Sequence, residues 1–134
     1  MIIGVPKEVK NNEYRVGLTP ESSMALCKEG HEVLIQSDAG SSIGFSNQDY
    51  IDSGAKIIDE AEEVFDKSNL IIKVKEPIEQ ELEYLREDLT LFTYLHLAGK
   101  RKVVTSNEVE ILKNMREEEW VGKAIKYKNS VLVS

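Results

Sequence analysis

Residues 19–36 have the sequence TPESSMALCKEGHEVLIQ, in which a helix pattern runs directly into a short apolar strand. Thr19 followed by proline is a typical helix start and Gly30 a typical helix end, so we predict a helix over residues 20–29. The apolar run that follows predicts a strand over residues 32–36 that is covered on both faces. A helix leading into a buried strand is half of the repeating unit of a parallel α/β sheet.

The same alternation of apolar runs and helix patterns extends over the first 99 residues. The five predicted strands lie at residues 2–5, 32–36, 55–58, 70–74 and 89–94. The three further predicted helices are a short one between the cap Ser46 and the stop Gly54, one over residues 60–66 and an acidic one over residues 78–86. This order predicts the α/β class, with a flavodoxin-like (Rossmann-like) doubly wound parallel sheet.

Composition limits the classes of partner. The net charge of −7 argues against binding to nucleic acid, which depends on clustered Lys and Arg. No apolar run approaches the length that spans a membrane, and the first residues lack the pattern of a secretion signal. The single cysteine, Cys27, is typical of a protein in a reducing compartment, so we expect a cytoplasmic location.

Charge divides the chain into two segments. Residues 1–99 hold 9 Lys or Arg and 19 Asp or Glu, a net charge of −10, whereas residues 100–134 hold 8 and 5, a net charge of +3. We therefore predict one domain over 1–99, to which the resemblance described below gives the role of a substrate domain, and a divergent, basic tail over 100–134. In the tail, a capping box at Thr105 predicts a helix over residues 105–119, and a weak strand is predicted over 131–133.

Three polar side chains close or follow the predicted strands, where open α/β sheets bind their ligands. Arg15 follows the first strand, Lys75 ends the fourth and His96 ends the fifth. A guanidinium matches the planar fork of a carboxylate, an ammonium stabilises charge on a carbonyl oxygen, and an imidazole exchanges protons near neutral pH. Together these groups suit a small 2-oxo acid.

Each of these side chains also has a structural alternative. Arg15 could pair with Glu13 or Glu8 at the surface, Lys75 could protect a sheet edge, and His96 could be a buried histidine. We interpret His31, at a strand start, as structural.

Other chemistry has weaker support in the sequence. The glycines of residues 40–44 do not form the G-x-G-x-x-G turn of a dinucleotide site. One cysteine and two separated histidines predict no metal centre. We therefore expect neither a metal nor a bound cofactor in this chain alone.

Several motifs, in one register, closely resemble the amino-terminal part of alanine dehydrogenases. They are IGVPKE at 3–8, NNEYRVGLTP at 11–20, GHEV at 30–33, AGSSIGF at 39–45, DY at 49–50, VKEP at 74–77 and FTYLHLA at 92–98. Related proton-translocating transhydrogenases share the opening motif, but the element around His96 favours the dehydrogenases. Saccharopine dehydrogenases are a more distant alternative.

The resemblance implies an NAD-dependent oxidation of L-alanine to pyruvate and ammonium. It implies that Arg15 and Lys75 bind the substrate and that His96 is the acid/base group. The family binds NAD in a separate domain that follows this one. The change of pattern at Lys100 resembles a truncated gene or an altered reading frame, so we expect the chain to be inactive alone.

Two alternatives to a catalytic half-site stay open. The chain could be a remnant that binds 2-oxo or amino acids without turnover. It could instead be a structural subunit of a split enzyme or of a transhydrogenase-like protein. The expected protein partners are a second copy of the chain, as a homodimer, or a separately encoded NAD-binding domain, and no membrane or nucleic-acid partner is expected.

Overall fold

The computed structural model describes residues 1–93, 124–127 and 130–133. The strands are β1 (Ile2–Val5), β2 (Glu32–Gln36), β3 (Lys56–Ile58), β4 (Leu70–Ile72), β5 (Thr90–Phe92), β6 (Ala124–Tyr127) and β7 (Ser130–Val133). The α-helices of the described residues are α1 (Pro20–Lys28), α2 (Asn47–Asp52), α3 (Ala61–Lys67) and α4 (Glu79–Leu82), and a 3-10 turn covers Ser41–Ile43. Within these residues no helix has the length and apolar character needed to cross a membrane.

The strands form one sheet in the order β3-β2-β1-β4-β5-β7-β6. Strands β1 to β5 and β7 pair in parallel, and β6 pairs with β7 in the antiparallel direction. The predicted doubly wound parallel sheet is confirmed, and its first five strands follow the Rossmann order 3-2-1-4-5 rather than the flavodoxin order. Successive strands are added on one side of β1 up to β3 and on its other side from β4 onward, so the strand order reverses between β1 and β4. Open α/β sheets have a crevice at the carboxyl ends of the two strands at this point.

Helix starts agree with the caps identified in the sequence. The Thr19 side chain accepts a hydrogen bond from the Ser22 backbone N–H at the start of α1. Ser46 and Asp49 form a reciprocal capping box at the start of α2. Each cap satisfies N–H groups that have no partner inside the helix, and this explains why the sequence placed these starts correctly.

The prediction of an acidic helix over residues 78–86 is wrong in length, because the helix is shorter. Only Glu79–Leu82 is α-helical. Beyond it the N–H groups of Tyr84 and Leu85 bond three residues back, to the carbonyls of Glu81 and Leu82, so the chain continues as turns. Tyr84 and Leu85 pack against the core cluster that contains Phe65, and this packing outweighs the helix preference of an acidic run.

The tail contributes to the same sheet. The predicted strand at 131–133 is confirmed as β7, which pairs with β5. Strand β6 has no counterpart in the prediction, because its Ala-Ile-Lys-Tyr sequence is short and flanked by lysines. The helix predicted over 105–119 lies outside the described residues, and the boundary at residue 99 stays a prediction.

Two hydrophobic clusters cover the two faces of the sheet. Ile71 and Ile72 are adjacent on β4 and pack into different clusters, as expected of alternating side chains on a strand. The first cluster contains Phe65 of α3 and the second contains Tyr50 of α2. Tyr50 is fully buried and donates a 2.7 Å hydrogen bond to the Leu18 carbonyl oxygen. Burial raises the pKa of Tyr50 to about 12.

Candidate functional site

The segment that follows β1 is held against the end of β4 by a close backbone contact. A Cβ atom on Gly17 would lie 2.4 Å from the carbonyl oxygen of Ile72, so only glycine allows this approach. The contact brings the segment containing Arg15 beside the segment containing Lys75. Both segments emerge at the reversal point of the sheet, between β1 and β4.

Arg15 and Lys75 meet at the carboxylate of Glu13. Arg15 binds it through two hydrogen bonds of 2.8 Å, from Nε to Oε1 and from Nη2 to Oε2. Lys75 Nζ lies 3.9 Å from Oε2 of the same carboxylate. The Glu13 side chain is 5% exposed, against 65% for Arg15 and 31% for Lys75, so two solvent-facing cations cover one anion.

The charge state of Glu13 follows from these contacts. The hydrogen bonds from the Arg15 side chain lower the pKa of Glu13 from 4.5 to about 2, assisted by the Arg15 backbone N–H and by the charge of Lys75, while burial opposes the shift. The same pairing raises the pKa of Arg15. Glu13 is therefore ionised, and the three side chains carry a net charge of one positive unit.

A second group of charges is buried beneath this pair. Lys73 Nζ lies 3.1 Å from Oε2 of Glu8 and 3.1 Å from Oε2 of Glu81, and the three side chains are 1%, 2% and 6% exposed. The other oxygen of each carboxylate accepts a hydrogen bond from the backbone. Oε1 of Glu8 accepts one of 2.7 Å from the Lys75 N–H, and Oε1 of Glu81 accepts one of 3.1 Å from the Ile78 N–H. Lys73 thus ties together the segment after β1, the end of β4 and the start of α4.

The backbone of Lys75 is fixed on both sides. Its N–H donates to Glu8, and its carbonyl accepts a 2.8 Å hydrogen bond from the hydroxyl of Thr93 at the end of β5. The adjacent residue Glu76 forms an ion pair with Lys10. A lysine held in this way presents its ammonium group from a rigid base, as a binding site requires.

These side chains form three groups of ion pairs, which together we call the strand-end charge cluster. Its cations are Lys10, Arg15, Lys73 and Lys75, and its anions are Glu8, Glu13, Glu76 and Glu81. Sequence analysis identified Arg15 and Lys75 and named Glu13 and Glu8 as possible partners of Arg15, and the structure forms the pair with Glu13. It missed Lys10, Lys73, Glu76 and Glu81. Lys73 could have been found, because a charged residue within a buried apolar strand needs a buried partner.

The two histidines of the sequence were the other residues considered for the site. His96 lies outside the described residues. His31, interpreted as structural, lies with its Nδ1 atom 3.1 Å from the amino group of Met1. Among the described residues, no group of three or more His, Cys, Asp or Glu is arranged to hold a metal ion.

The glycine loop after β2 does not fit a dinucleotide. A Cβ atom on Gly40 would lie 2.8 Å from both the Phe45 Cβ and the Tyr50 hydroxyl, so this glycine is required by packing inside the protein. Gly44 ends the 3-10 turn in the left-handed region, at a φ of 90°. Packing therefore accounts for Gly40, and the end of the turn accounts for Gly44.

Comparison with known proteins decides the family. The sequence profile described as "Alanine dehydrogenase/PNT, N-terminal domain" matches residues 4–118. The chain belongs to this family. The alanine dehydrogenase/PNT match extends beyond residue 99, where the charge of the sequence changes sign.

Individual relatives agree with the alanine dehydrogenase/PNT assignment. An alanine dehydrogenase of Staphylococcus epidermidis is 52% identical over 103 residues, which is 77% of this chain and 28% of that protein. An alanine dehydrogenase of Mycolicibacterium smegmatis is 48% identical over 101 residues, covering 75% of this chain and 27% of that protein. The chain therefore spans less than a third of the length of these alanine dehydrogenases.

Solved structures of the alanine dehydrogenase/PNT family show the same fold. An L-alanine dehydrogenase matches with a TM-score of 0.72 and 46% identity, over 75% of this chain and 28% of that protein. A transhydrogenase from Sinorhizobium meliloti matches with a TM-score of 0.65 and 27% identity, over 69% of this chain and 27% of that protein. Identity is higher to the dehydrogenase than to the transhydrogenase.

Proposed function

We propose that this chain is the substrate-binding half-site of an NAD-dependent L-alanine dehydrogenase, which converts L-alanine to pyruvate and ammonium. The observation that carries the proposal is the meeting of Arg15 and Lys75 at one carboxylate, at the carboxyl edge of the sheet. Two cations that meet at one carboxylate are close enough to bind the neighbouring carboxylate and carbonyl groups of one small ligand. Family membership supports alanine and pyruvate as the ligands.

In this proposal Arg15 and Lys75 bind different groups of the substrate. The Arg15 guanidinium has five N–H donors, and it binds Glu13 through Nε and Nη2. Because the side chain is 65% exposed, its other donors can reach a ligand. That outer edge of the guanidinium would bind the substrate carboxylate. Lys75 would place its ammonium near the carbonyl oxygen of pyruvate, where it stabilises developing negative charge.

His96 would supply the proton transfer. It follows β5 by four residues in the sequence, after Phe92 at the strand end. An imidazole that titrates near neutral pH can donate a proton to the reacting carbonyl and accept it in the reverse direction. NAD would be bound by a separate domain and would accept the hydride, so the contribution of this chain is to bind, orient and protonate the substrate.

The assembly and location of the chain are also proposals. We propose a cytoplasmic protein that completes its site with a cofactor domain encoded separately, or that pairs with a second copy of itself. An arrangement that covered the cations of the half-site would exclude water there and so strengthen their attraction for a substrate.

Binding of pyruvate to the chain without NADH tests the proposal. We expect saturable shifts of the amide NMR signals of residues 13–15 and 73–75 on titration with pyruvate. Arg15→Gln and Lys75→Gln should each weaken binding by about tenfold, because each removes one charged hydrogen bond. The control is Lys56→Gln, which removes the same charge from a surface ion pair with Glu32.

The control variant should bind pyruvate like the unchanged chain. Absence of saturable binding in the unchanged chain, or equal affinity in all variants, would contradict the half-site.

A further inference from the structure

The Glu13 carboxylate contacts the side chains of both proposed substrate-binding cations. It receives two hydrogen bonds of 2.8 Å from the Arg15 side chain and one of 3.1 Å from the Arg15 backbone N–H, and Lys75 lies at 3.9 Å. With so many contacts, Glu13 determines how much positive charge the two cations offer to a ligand.

The position of Glu13 is set by its own backbone. Its N–H donates to the Lys10 carbonyl oxygen at 3.2 Å, which closes a tight turn. The preceding residue Asn12 has a φ of 62°, in the left-handed region that non-glycine residues seldom adopt. With its side chain 5% exposed as well, Glu13 has little freedom to move away from an arriving ligand.

The cluster as a whole is electrically balanced. Its four cations face four anions. At the exposed end, however, Arg15, Lys75 and Glu13 leave one positive unit. A ligand with one carboxylate would neutralise that unit, whereas a second carboxylate would find a like charge at Glu13 and no spare cation in the cluster.

We propose that Glu13 is a specificity-determining residue, which restricts the Arg15–Lys75 site to 2-oxo acids with a single carboxylate. The inference rests on the proposed function and adds the residue that sets the substrate class. Its physical basis is the repulsion between Glu13 and a second carboxylate held by the same two cations.

The experiment compares the affinities of pyruvate and 2-oxoglutarate, measured by NMR titration of the full chain. In the unchanged chain we expect pyruvate to bind at least about tenfold more tightly, because like charges a few ångströms apart repel by an amount of that order. Glu13→Gln should lower this ratio by about tenfold. Glu13→Asp keeps the charge and should retain the preference for pyruvate.

The matched control is Glu63→Gln. Glu63 forms an exposed ion pair with Lys67 on α3, so this substitution changes the net charge of the chain equally without touching the cluster. The ratio of affinities should not change. A merely structural role of Glu13, limited to orienting Arg15, would weaken both acids equally in Glu13→Gln and leave the ratio unchanged.

A second measurement needs no substitution, and it tests whether charge or size selects the ligand even if Glu13→Gln fails to fold. The 5-methyl ester of 2-oxoglutarate keeps the size of the diacid but carries one charge. The unchanged chain should bind the ester about tenfold more tightly than the diacid.

The outcomes separate the two proposals. Equal weak binding of ester and diacid, with tight binding of pyruvate, would show that size selects the ligand, and it would overturn the role of Glu13 while leaving the proposed function intact. Binding of none of the three acids would overturn the proposed function and this inference with it.

Discussion

The side chains of Arg15 and Lys75 both contact the carboxylate of Glu13, so the charge that each offers depends on the others. Arg15 is exposed and Lys75 is half-buried, and an ion pair near the surface by itself contributes little to stability. The geometry at Glu13 is bidentate, however, and the carboxylate is covered by its partners. At the scale of single residues, the function of this pairing is to set charge and direction at the candidate site.

A prediction at this scale concerns the titration of Glu13. Because pairing with Arg15 lowers its pKa from 4.5 to about 2, the pair contributes stability that is present above pH 4.5 and is lost as the pH falls through about 2. Carbon-13 NMR of the Glu13 carboxyl should show a midpoint near 2. Arg15→Gln should move that midpoint upward, and Lys56→Gln should not. An unchanged midpoint in Arg15→Gln would show that the pair does not form in solution.

Among the elements, the buried contacts of Lys73 join three parts of the chain. Glu8 lies after β1, Lys73 lies at the end of β4, and Glu81 belongs to α4. The same two carboxylates also fix residues 75–78 at both ends, because Glu8 accepts the Lys75 N–H and Glu81 accepts the Ile78 N–H. The end of β4 is therefore a rigid support for Lys75.

This arrangement predicts a large cost for removing the buried ammonium. Lys73→Met would leave two buried carboxylates without their cation, so the free energy of unfolding should fall by about 3–5 kcal/mol. Lys67→Met is the matched control, since Lys67 forms an exposed ion pair and its loss should cost about 0.5 kcal/mol or less. Urea denaturation measures both values. A loss below about 1 kcal/mol for Lys73→Met would mean that the ion pairs are open in solution.

At the scale of the whole molecule, the sheet order places β1 and β4 at the centre. Both are flanked by parallel partners, β2 on one side and β5 on the other, and both pack between the two hydrophobic clusters. Strand β3 is at an edge. Local opening should therefore cost least at the edge and most at the centre.

Hydrogen exchange tests this order of stability. The amides of Ile3–Val5 and Ile71 should exchange most slowly, and those of Lys56–Ile58 should exchange faster by about tenfold or more, because an edge strand opens without disrupting the core. Exchange followed by NMR in deuterated buffer gives the rates. Protection of β3 equal to that of β1 would indicate that another segment or another molecule covers this edge.

The sequence by itself determined the local structure of this protein. Helix starts at Thr19 and Ser46 were predictable because a cap depends on residues three positions apart. Strands β1 to β5 were placed because short apolar runs separate helix patterns, although the ends of β4, β5 and α4 were misjudged. The positions of Arg15 and Lys75 after strands were also predictable, because they depend only on the order of residues along the chain.

Only the tertiary structure decided which of these pieces meet. Glu8 and Lys73 are 65 residues apart in the chain, and their contact exists because β4 lies beside β1. The same sheet order brings Lys75 to Glu13 and explains why Gly17 approaches the end of β4. Local patterns extend over a few residues, whereas strand order results from the packing of the whole sheet. The charge balance of the site was therefore not readable from the sequence.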